Sequence, residues 1–304
     1  MTQWICNGGC PRSGTTAFLE VFNQHPNIGM FPEYNFFTLI EKFDDIFYKE
    51  ANTREKGWIG NINANDRPGA TVITKDFLRY IPQKEKGHQR HIIKSLFEAV
   101  FPDKDLKVIG EKLPFYFQQD IYKLNKRVGP IKFVHITRNP LWVINSFRHR
   151  TKLVEQGKDL WKYRDFEEAI NIWISAWNFL VKAVEESKGH RSRKFLSSES
   201  GVTGELDILP VKYEAFFDDP IKARKEVFAF LYVNDHDVRN FAGEKYGELN
   251  ALTEQEYDNV TRLFKPLIDN WDAMSMQELL DFHGPFTQEM VTERLTADGQ
   301  KDSE

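Results

Sequence analysis

A glycine-bearing loop with one early cation lies near the start of the chain. Residues 9–16 read Gly-Cys-Pro-Arg-Ser-Gly-Thr-Thr and separate an apolar run from a segment with helical spacing of its apolar residues. The backbone amides of such a loop and the positive end of the following helix form an anion site. A Walker loop would need Lys where this chain has Thr15, and the cation stands earlier, as Arg12. The loop therefore predicts a phosphate-like ligand and argues against ATP·Mg²⁺.

A second cation follows residues 131–137, which form the strongest predicted strand. Arg138 ends this strand, and Ser146 lies eight residues farther on, in a segment that Asn139 and Pro140 predict to begin as a helix. An Arg fork beside a hydroxyl suits a phosphate, and the carboxyl ends of parallel strands face the ligand crevice. The strand end lacks a Walker-B aspartate. Two anion sites with no metal site predict a nucleotide with phosphates at both ends.

Strands and helices alternate along the chain and must position these groups. The apolar patterns predict strands at 4–9, 106–109, 131–137 and 208–213 and helices at 15–24, 36–47, 90–101, 114–124, 141–153, 166–184, 220–231, 236–241 and 254–267. This order predicts an α/β fold, one domain with a mostly parallel central sheet flanked by helices, like the P-loop NTPases. We expect the domain at residues 1–290, a long loop at 51–71, a loop or hairpin at 185–204, and a flexible polar tail at 291–304.

The composition limits the classes of ligand and compartment. Lys and Arg number 41 against 45 Asp and Glu, a formal charge of −4, which excludes a protein that coats nucleic acid. Cys6 and Cys10 are too few for a disulfide scaffold and do not form a zinc pattern. We expect no metal, no nucleic acid and, because neither a signal peptide nor a long apolar run appears, no membrane span and a cytoplasmic location.

Four segments together resemble the sulfotransferases that use 3′-phosphoadenosine 5′-phosphosulfate (PAPS). Residues 10–16 look like the family's 5′-phosphosulfate loop, and residues 136–146 are similar to its 3′-phosphate motif. Residues 110–114 occupy the place of another family segment, and residues 211–231 resemble its Tyr-Glu-Asp segment. The resemblance implies PAPS as cofactor and donor, bound by Arg12, Ser13, Gly14, Thr15, Thr16, Arg138, Ser146 and Tyr213.

The resemblance implies a carboxylate as general base. In the cytosolic branch the segment matching residues 110–114 carries a catalytic His, whereas Lys112 stands at that position here. Carbohydrate sulfotransferases, whose motifs this chain matches better, use a Glu a little over twenty residues after the loop cation, and Glu33 lies 21 residues after Arg12. The implied catalytic residues are Glu33 as base, Arg12 at the leaving phosphate, and Lys112 at the sulfuryl oxygens or the acceptor.

Several points stay open. Ala17 replaces the Trp that stacks on adenine in the cytosolic branch, so adenine must be held elsewhere, and the resemblance makes Tyr213 a candidate. The acceptor is expected to be a glycan or a small hydroxylated molecule, and the oligomeric state is not predicted. The basic stretches 84–91 and 148–152 either guide an anionic glycan or are solvated helix faces. A kinase or NTPase with a degenerate loop, and a nucleotide-binding protein without turnover, are the alternative functions.

Overall fold

The described part of the chain is built on one parallel sheet. The computed structural model describes residues 2–33, 88–119, 121, 125, 130–160, 162–194, 206–238 and 245–296. The strands of these residues pair in the order β2-β3-β1-β4-β5, and every pairing is parallel. The strands are β1 (Gln3–Gly9), β2 (Ile28–Pro32), β3 (Val108–Lys112), β4 (Ile131–Thr137) and β5 (Asp207–Lys212). The predicted α/β fold with a parallel central sheet is confirmed.

Helices connect and cover these strands. They are α1 (Thr15–Gln24), α2 (His88–Val100), α3 (Pro140–Glu155), α4 (Phe166–Lys194), α5 (Ala215–Asp218), α6 (Pro220–Phe230), α7 (Glu254–Asn270), α8 (Met276–His283) and α9 (Gln288–Thr296), with a 3₁₀ helix at Pro114–Gln118. The chain divides into two compact units. Met1–Glu33 and Asp105–Glu304 form the unit that contains the sheet, and Tyr34–Lys104 forms the other, of which residues 88–104, including α2, are described. Among the described helices, none is both long and apolar enough to cross a bilayer.

Strand β4 lies in the core of the sheet, which explains why its sequence predicts a strand so clearly. All of its residues are buried, and successive side chains point to opposite faces. Val134 and Ile136 join an apolar cluster that also contains α1 and α6 residues. On the other face, His135 stacks on Phe179 of α4, with the ring centroids 5.9 Å apart. His135 is therefore a core residue, as predicted, and burial lowers its pKa to about 3.

Several predicted element bounds were wrong. Strand β2 was not predicted, β3 lies at Val108–Lys112 rather than 106–109, and the predicted helix at 114–124 begins as the 3₁₀ helix Pro114–Gln118. Residues 185–194 continue α4 instead of forming a loop or hairpin. Charged residues such as Glu, Lys and Arg have high helix propensity, so a polar segment can extend a helix into solvent. The described residues 236–238 are not helical.

The chain beyond α7 also differs from the prediction. Helices α8 and α9 were not predicted, and α9 includes residues 291–296 of the expected flexible tail. Residues 297–304 lie outside the described residues, as do the predicted helix at 36–47, the predicted loop at 51–71 and residues 195–204.

Candidate functional site

The predicted site residues lie at the carboxyl edge of the sheet. Glu33 follows β2, Lys112 ends β3, Arg138 follows β4 and Tyr213 follows β5, while the predicted phosphate loop follows β1. Parallel strands bring these ends to one edge, and β1 lies between β3 and β4. The chain moves from one side of β1 to the other between β3 and β4, which makes the end of β1 the topological switch point where ligands bind in open α/β sheets.

The loop after β1 takes the left-handed backbone conformation at two positions. Arg12 has φ of 72° and Gly14 has φ of 87°. A non-glycine residue in this region is strained, and such strain concentrates at functional sites. The side-chain amide of Asn7 donates to the Thr15 carbonyl at 3.1 Å and fixes the start of α1. Ser13 and Thr15 are buried and Thr16 is exposed at the helix start, whose first amides lack intrahelical acceptors.

Arg12 connects the loop to the helix that follows β4. Its Nε donates to Ser146 Oγ at 3.0 Å, across 134 residues of sequence. Ser146 is held in place because α3 has a well-formed start, where Asn139 Oδ1 accepts from the Leu141 amide at 3.0 Å. The buried Glu214 accepts from the Asn139 amide at 3.0 Å. The structure thus brings together the two anion sites that the sequence predicts separately.

Positive charge is concentrated around Arg12. Its pKa is lowered by burial first and then by the positive charges of Arg150 and Arg138, while Asp159 opposes the effect. Arg150 forms an ion pair with Asp159, with Nε and Oδ2 2.8 Å apart. Arg12, Arg138 and Arg150 are called the arginine cluster below. Like charges in a partly buried place repel one another, and an anionic ligand offsets that cost.

Tyr213 packs beneath the loop. A Cβ atom on Gly14 would meet the Tyr213 ring at 2.2 Å, and the Arg138 guanidinium lies over the same ring, 4.5 Å from its centroid. The Tyr213 amide donates to the Thr137 carbonyl at 2.8 Å, and the residue is only 3% exposed. The ring therefore supports both the loop and Arg138, and its predicted contact with adenine stays a prediction.

Glu33 and Lys112 lie side by side at the ends of β2 and β3. The Lys112 ammonium forms an ion pair with Glu33 Oε1, and the Glu33 amide donates to the Lys112 carbonyl at 2.7 Å. Lys112 is 5% exposed at its side chain and Glu33 is 54% exposed. Glu33 has φ of 38°, so both Arg12 and Glu33 have left-handed backbone conformations. The structure brings two of the three predicted catalytic residues, Glu33 and Lys112, into direct contact.

Sequence reasoning missed Arg150 and its partner Asp159. The basic stretch 148–152 was interpreted as a glycan guide or a solvated face, but its arginines have separate partners: Arg148 pairs with Glu256 at 2.9 Å, and Arg150 pairs with Asp159. The available signal was the four-residue interval from Ser146 to Arg150, which places both on one helix face. The side chains of the other basic stretch, 84–91, lie outside the described side chains.

The donors at this edge suit phosphate groups. Guanidinium forks, a hydroxyl and helix-start amides all donate hydrogen bonds, and the loop follows an αL backbone path of the kind that forms anion-binding concavities. Within the described ranges no group of three or more His, Cys, Asp and Glu side chains is arranged to bind a metal. The nucleotide implied by the sequence therefore fits the residues that are present.

The family assignment follows from a sequence comparison. A model of the sulfotransferase family matches residues 5–237. The match covers most of the chain, from β1 through α6, and includes every predicted site residue. The chain belongs to the sulfotransferase family, and the predicted family is confirmed.

Solved structures similar to this chain are also sulfotransferases. A sulfotransferase domain from the curacin biosynthetic pathway is 16% identical, with a TM-score of 0.46, over 98% of this chain and 97% of that one. A sulfotransferase from Alicyclobacillus acidocaldarius is 17% identical, with a TM-score of 0.48, over 95% and 98%. A mouse sulfotransferase complexed with PAP (adenosine 3′,5′-bisphosphate) is 15% identical, with a TM-score of 0.38, over 97% of this chain and 85% of that one. No curated protein matches the sequence.

Proposed function

We propose that this chain transfers a sulfuryl group from PAPS to a hydroxyl or amine of an acceptor. The observation that carries the proposal is the 3.0 Å hydrogen bond between Arg12 Nε and Ser146 Oγ, which joins the loop after β1 to the helix after β4. One ligand with phosphates at both ends can then contact both segments. A metal-dependent kinase is less well supported, because Thr15 replaces the P-loop lysine and Arg138 stands where an acidic strand end is expected.

The donor-binding roles follow the position of each cation. Arg12 and the amides of residues 13–16 hold the 5′ end of the nucleotide and neutralise the phosphate that departs. Arg138 and Ser146 hold the 3′-phosphate, and Tyr213 keeps Arg138 and Gly14 in place through its buried ring. Fixed cationic and amide donors of this kind supply much of the rate in group transfer.

Glu33 is the proposed general base. When bound, PAPS supplies the sulfuryl group, whose bond to the 5′-phosphate oxygen breaks as the acceptor atom bonds to sulfur. The Glu33 carboxylate takes the acceptor proton, and its Oε1 is paired with the Lys112 ammonium until Lys112 moves to the sulfuryl oxygens. Lys112 can exchange this carboxylate for the sulfuryl oxygens, since its ammonium already lies at the same strand ends. That exchange removes the Lys112 ammonium from the carboxylate.

The acceptor class proposed here is a glycan or a small hydroxylated molecule. The motif pattern resembles the carbohydrate branch in using Glu33 rather than a His at the Lys112 position. The net charge of −4 disfavours long, heavily sulfated polymers, which would need a basic path across the surface.

The decisive experiment measures nucleotide binding and turnover separately. Isothermal titration with adenosine 3′,5′-bisphosphate (PAP) should show binding to the native chain, and Arg12→Ala and Arg138→Ala should each lose most of it. Lys152→Gln removes a charge from the same helix as Ser146 and is the matched control. PAPS with a panel of hydroxyl and amine acceptors should then release PAP.

Three outcomes would contradict the proposal. Tighter binding of ATP·Mg²⁺ than of PAP would favour the kinase alternative. PAP binding without release of PAP from PAPS across the panel would favour a nucleotide-binding protein without turnover. Unchanged PAP affinity in the Arg12 or Arg138 variant would remove the assignment of the site.

A further inference from the structure

We propose that Arg150 is a third nucleotide-binding cation, which shares the 5′-phosphate end with Arg12 and exchanges its ion pair with Asp159 for the ligand. This inference rests on the proposed function and names a residue that none of the sulfotransferase motifs quoted above contains. The ligand class is the 5′-phosphate or phosphosulfate group of an adenine nucleotide.

Helix geometry places Arg150 toward the site. Ser146 and Arg150 are four residues apart on α3, so their side chains lie on one face about one turn apart. Ser146 Oγ accepts the hydrogen bond from Arg12 Nε at 3.0 Å, so this side of α3 faces the loop after β1. Arg150 extends from the face that Arg12 contacts.

The order along α3 separates the two ends of the nucleotide. Arg138 precedes the helix, Ser146 lies in its middle, and Arg150 lies one turn farther from Arg138. Arg138 is tied at its own end, where its Nη2 donates to the Lys245 carbonyl at 2.9 Å and its guanidinium lies over Tyr213. If Arg138 and Ser146 bind the 3′-phosphate, Arg150 is on the opposite side of Ser146, with Arg12.

The charges support this pairing. Arg150 lowers the Arg12 pKa more than Arg138 does, which means that the charge of Arg150 interacts more strongly with Arg12. Two guanidiniums brought together in this way repel each other, and a shared anion relieves the repulsion. Asp159 holds Arg150 through both of its oxygens, at 2.8 Å and 3.3 Å. The Asp159 carboxylate thus occupies the hydrogen-bonding positions on Arg150 that the phosphate of the ligand would take.

Truncated nucleotides test which end Arg150 contacts. Affinities for PAP, adenosine 5′-monophosphate and adenosine 3′-monophosphate are measured by titration or competition for the native chain, Arg150→Gln and Arg138→Gln. Arg150→Gln should weaken PAP and the 5′-monophosphate about tenfold, the scale of one charge-assisted bond, and change the 3′-monophosphate less than about twofold. Arg138→Gln should show the reverse preference. Equal weakening of both monophosphates by Arg150→Gln would overturn the inference.

Asp159 provides a second readout that a structural role would not give. Asp159→Asn should strengthen PAP binding about threefold, because the competing carboxylate charge is gone, and Arg150→Gln with Asp159→Asn should lose this gain. If the ion pair only stabilises the fold, the two single variants should both weaken binding and lower the melting temperature. That result would contradict the exchange.

The controls separate this inference from the proposed function. Arg150→Lys keeps a charge without the fork and should fall between the native chain and Arg150→Gln. Lys152→Gln lies on another face of α3 and should bind all three nucleotides as the native chain does. Absence of PAP binding in the native chain would defeat the proposed function itself. Normal PAP binding by a folded Arg150→Gln, with Arg138→Gln impaired, would defeat only the role of Arg150.

Discussion

Glu33 and Lys112 are bonded to each other twice, once through the backbone and once through their side chains. The Glu33 amide donates to the Lys112 carbonyl at 2.7 Å, and the Lys112 ammonium returns an ion pair to Glu33 Oε1. The backbone bond continues the pairing of β2 with β3 one residue beyond Pro32. The register of β2 against β3 therefore fixes the distance between Glu33 and Lys112. A register shift of one residue between these strands would separate the two side chains.

Glu33→Gln should retain nucleotide binding and lose turnover. The amide preserves the shape of the side chain but cannot take a proton, and the loss of a general base lowers rates by about a hundredfold or more. PAP affinity should stay within about twofold of the native value, because Arg12 and Arg138 are unchanged. PAP release in the presence of PAPS and an acceptor measures the rate, with Glu20→Gln on the exposed side of α1 as control. Full turnover in Glu33→Gln would eliminate it as the base.

Lys112→Met should impair turnover far more than stability. The substitution keeps an apolar stem in a buried position and removes the ammonium from the strand ends. Because its partner Glu33 is 54% exposed, the ion pair itself contributes about 1 kcal/mol or less to the free energy of unfolding. We expect a loss of at least about tenfold in turnover, measured beside urea unfolding.

A matched lysine tests whether this effect belongs to the site. Lys107 pairs with Asp105 at 3.8 Å before β3, at the opposite end of that strand, and both side chains are largely exposed. Lys107→Met should leave turnover unchanged. Equal losses in the two lysine variants would point to a general effect of charge rather than to Lys112.

The fold was predictable where burial decides the pattern. Strand β4 was predicted with its observed bounds because seven consecutive residues, all of them buried, end just before the helix cap Asn139. Strand β2 was missed because Ile28–Pro32 is short and includes Gly and Pro, which a strand at the edge of the sheet tolerates. Helix α8 could have been found from its capping box, in which Ser275 and Glu278 bond reciprocally to the backbone.

The sequence predicted which residues form the candidate site but not which of them contact one another. Arg12, Arg138 and Ser146 follow from loop and strand-end chemistry, but the hydrogen bond between Arg12 and Ser146 depends on β1 and β4 being neighbours. Contact between Glu33 and Lys112 likewise depends on the pairing of β2 with β3, and β2 was not predicted. Spacing along a sequence identifies candidate groups, while the strand order decides which of them meet.

Gly14→Ala should destabilise the loop and abolish most nucleotide binding. The added Cβ would lie 2.2 Å from the Tyr213 ring, whose movement would displace the Arg138 guanidinium above it. The left-handed backbone at φ 87° adds a cost of about 1 kcal/mol, and the clash adds about 1–3 kcal/mol. Urea unfolding and PAP titration measure the two effects.

Gly157 provides the control for that substitution. It has φ of 68°, and a Cβ there would meet nothing within 4 Å. Gly157→Ala should therefore show only the backbone cost and bind PAP normally. If Gly14→Ala resembled Gly157→Ala in both measurements, the support of the loop by Tyr213 would be refuted.

His135→Phe should remove an acid-sensitive contribution to stability. Burial lowers the pKa of His135 from about 6.5 to about 3, so the unfolded chain binds a proton here that the folded chain does not between those pH values. Stability from this group is therefore complete above pH 6.5 and is lost as the pH falls toward 3, about 2 kcal/mol by pH 5. Phe retains the ring that stacks on Phe179. Urea unfolding at pH 7.5 and pH 5 should show a smaller pH dependence in His135→Phe by about 2 kcal/mol. An unchanged pH dependence in His135→Phe would show that His135 accepts a proton in the folded state.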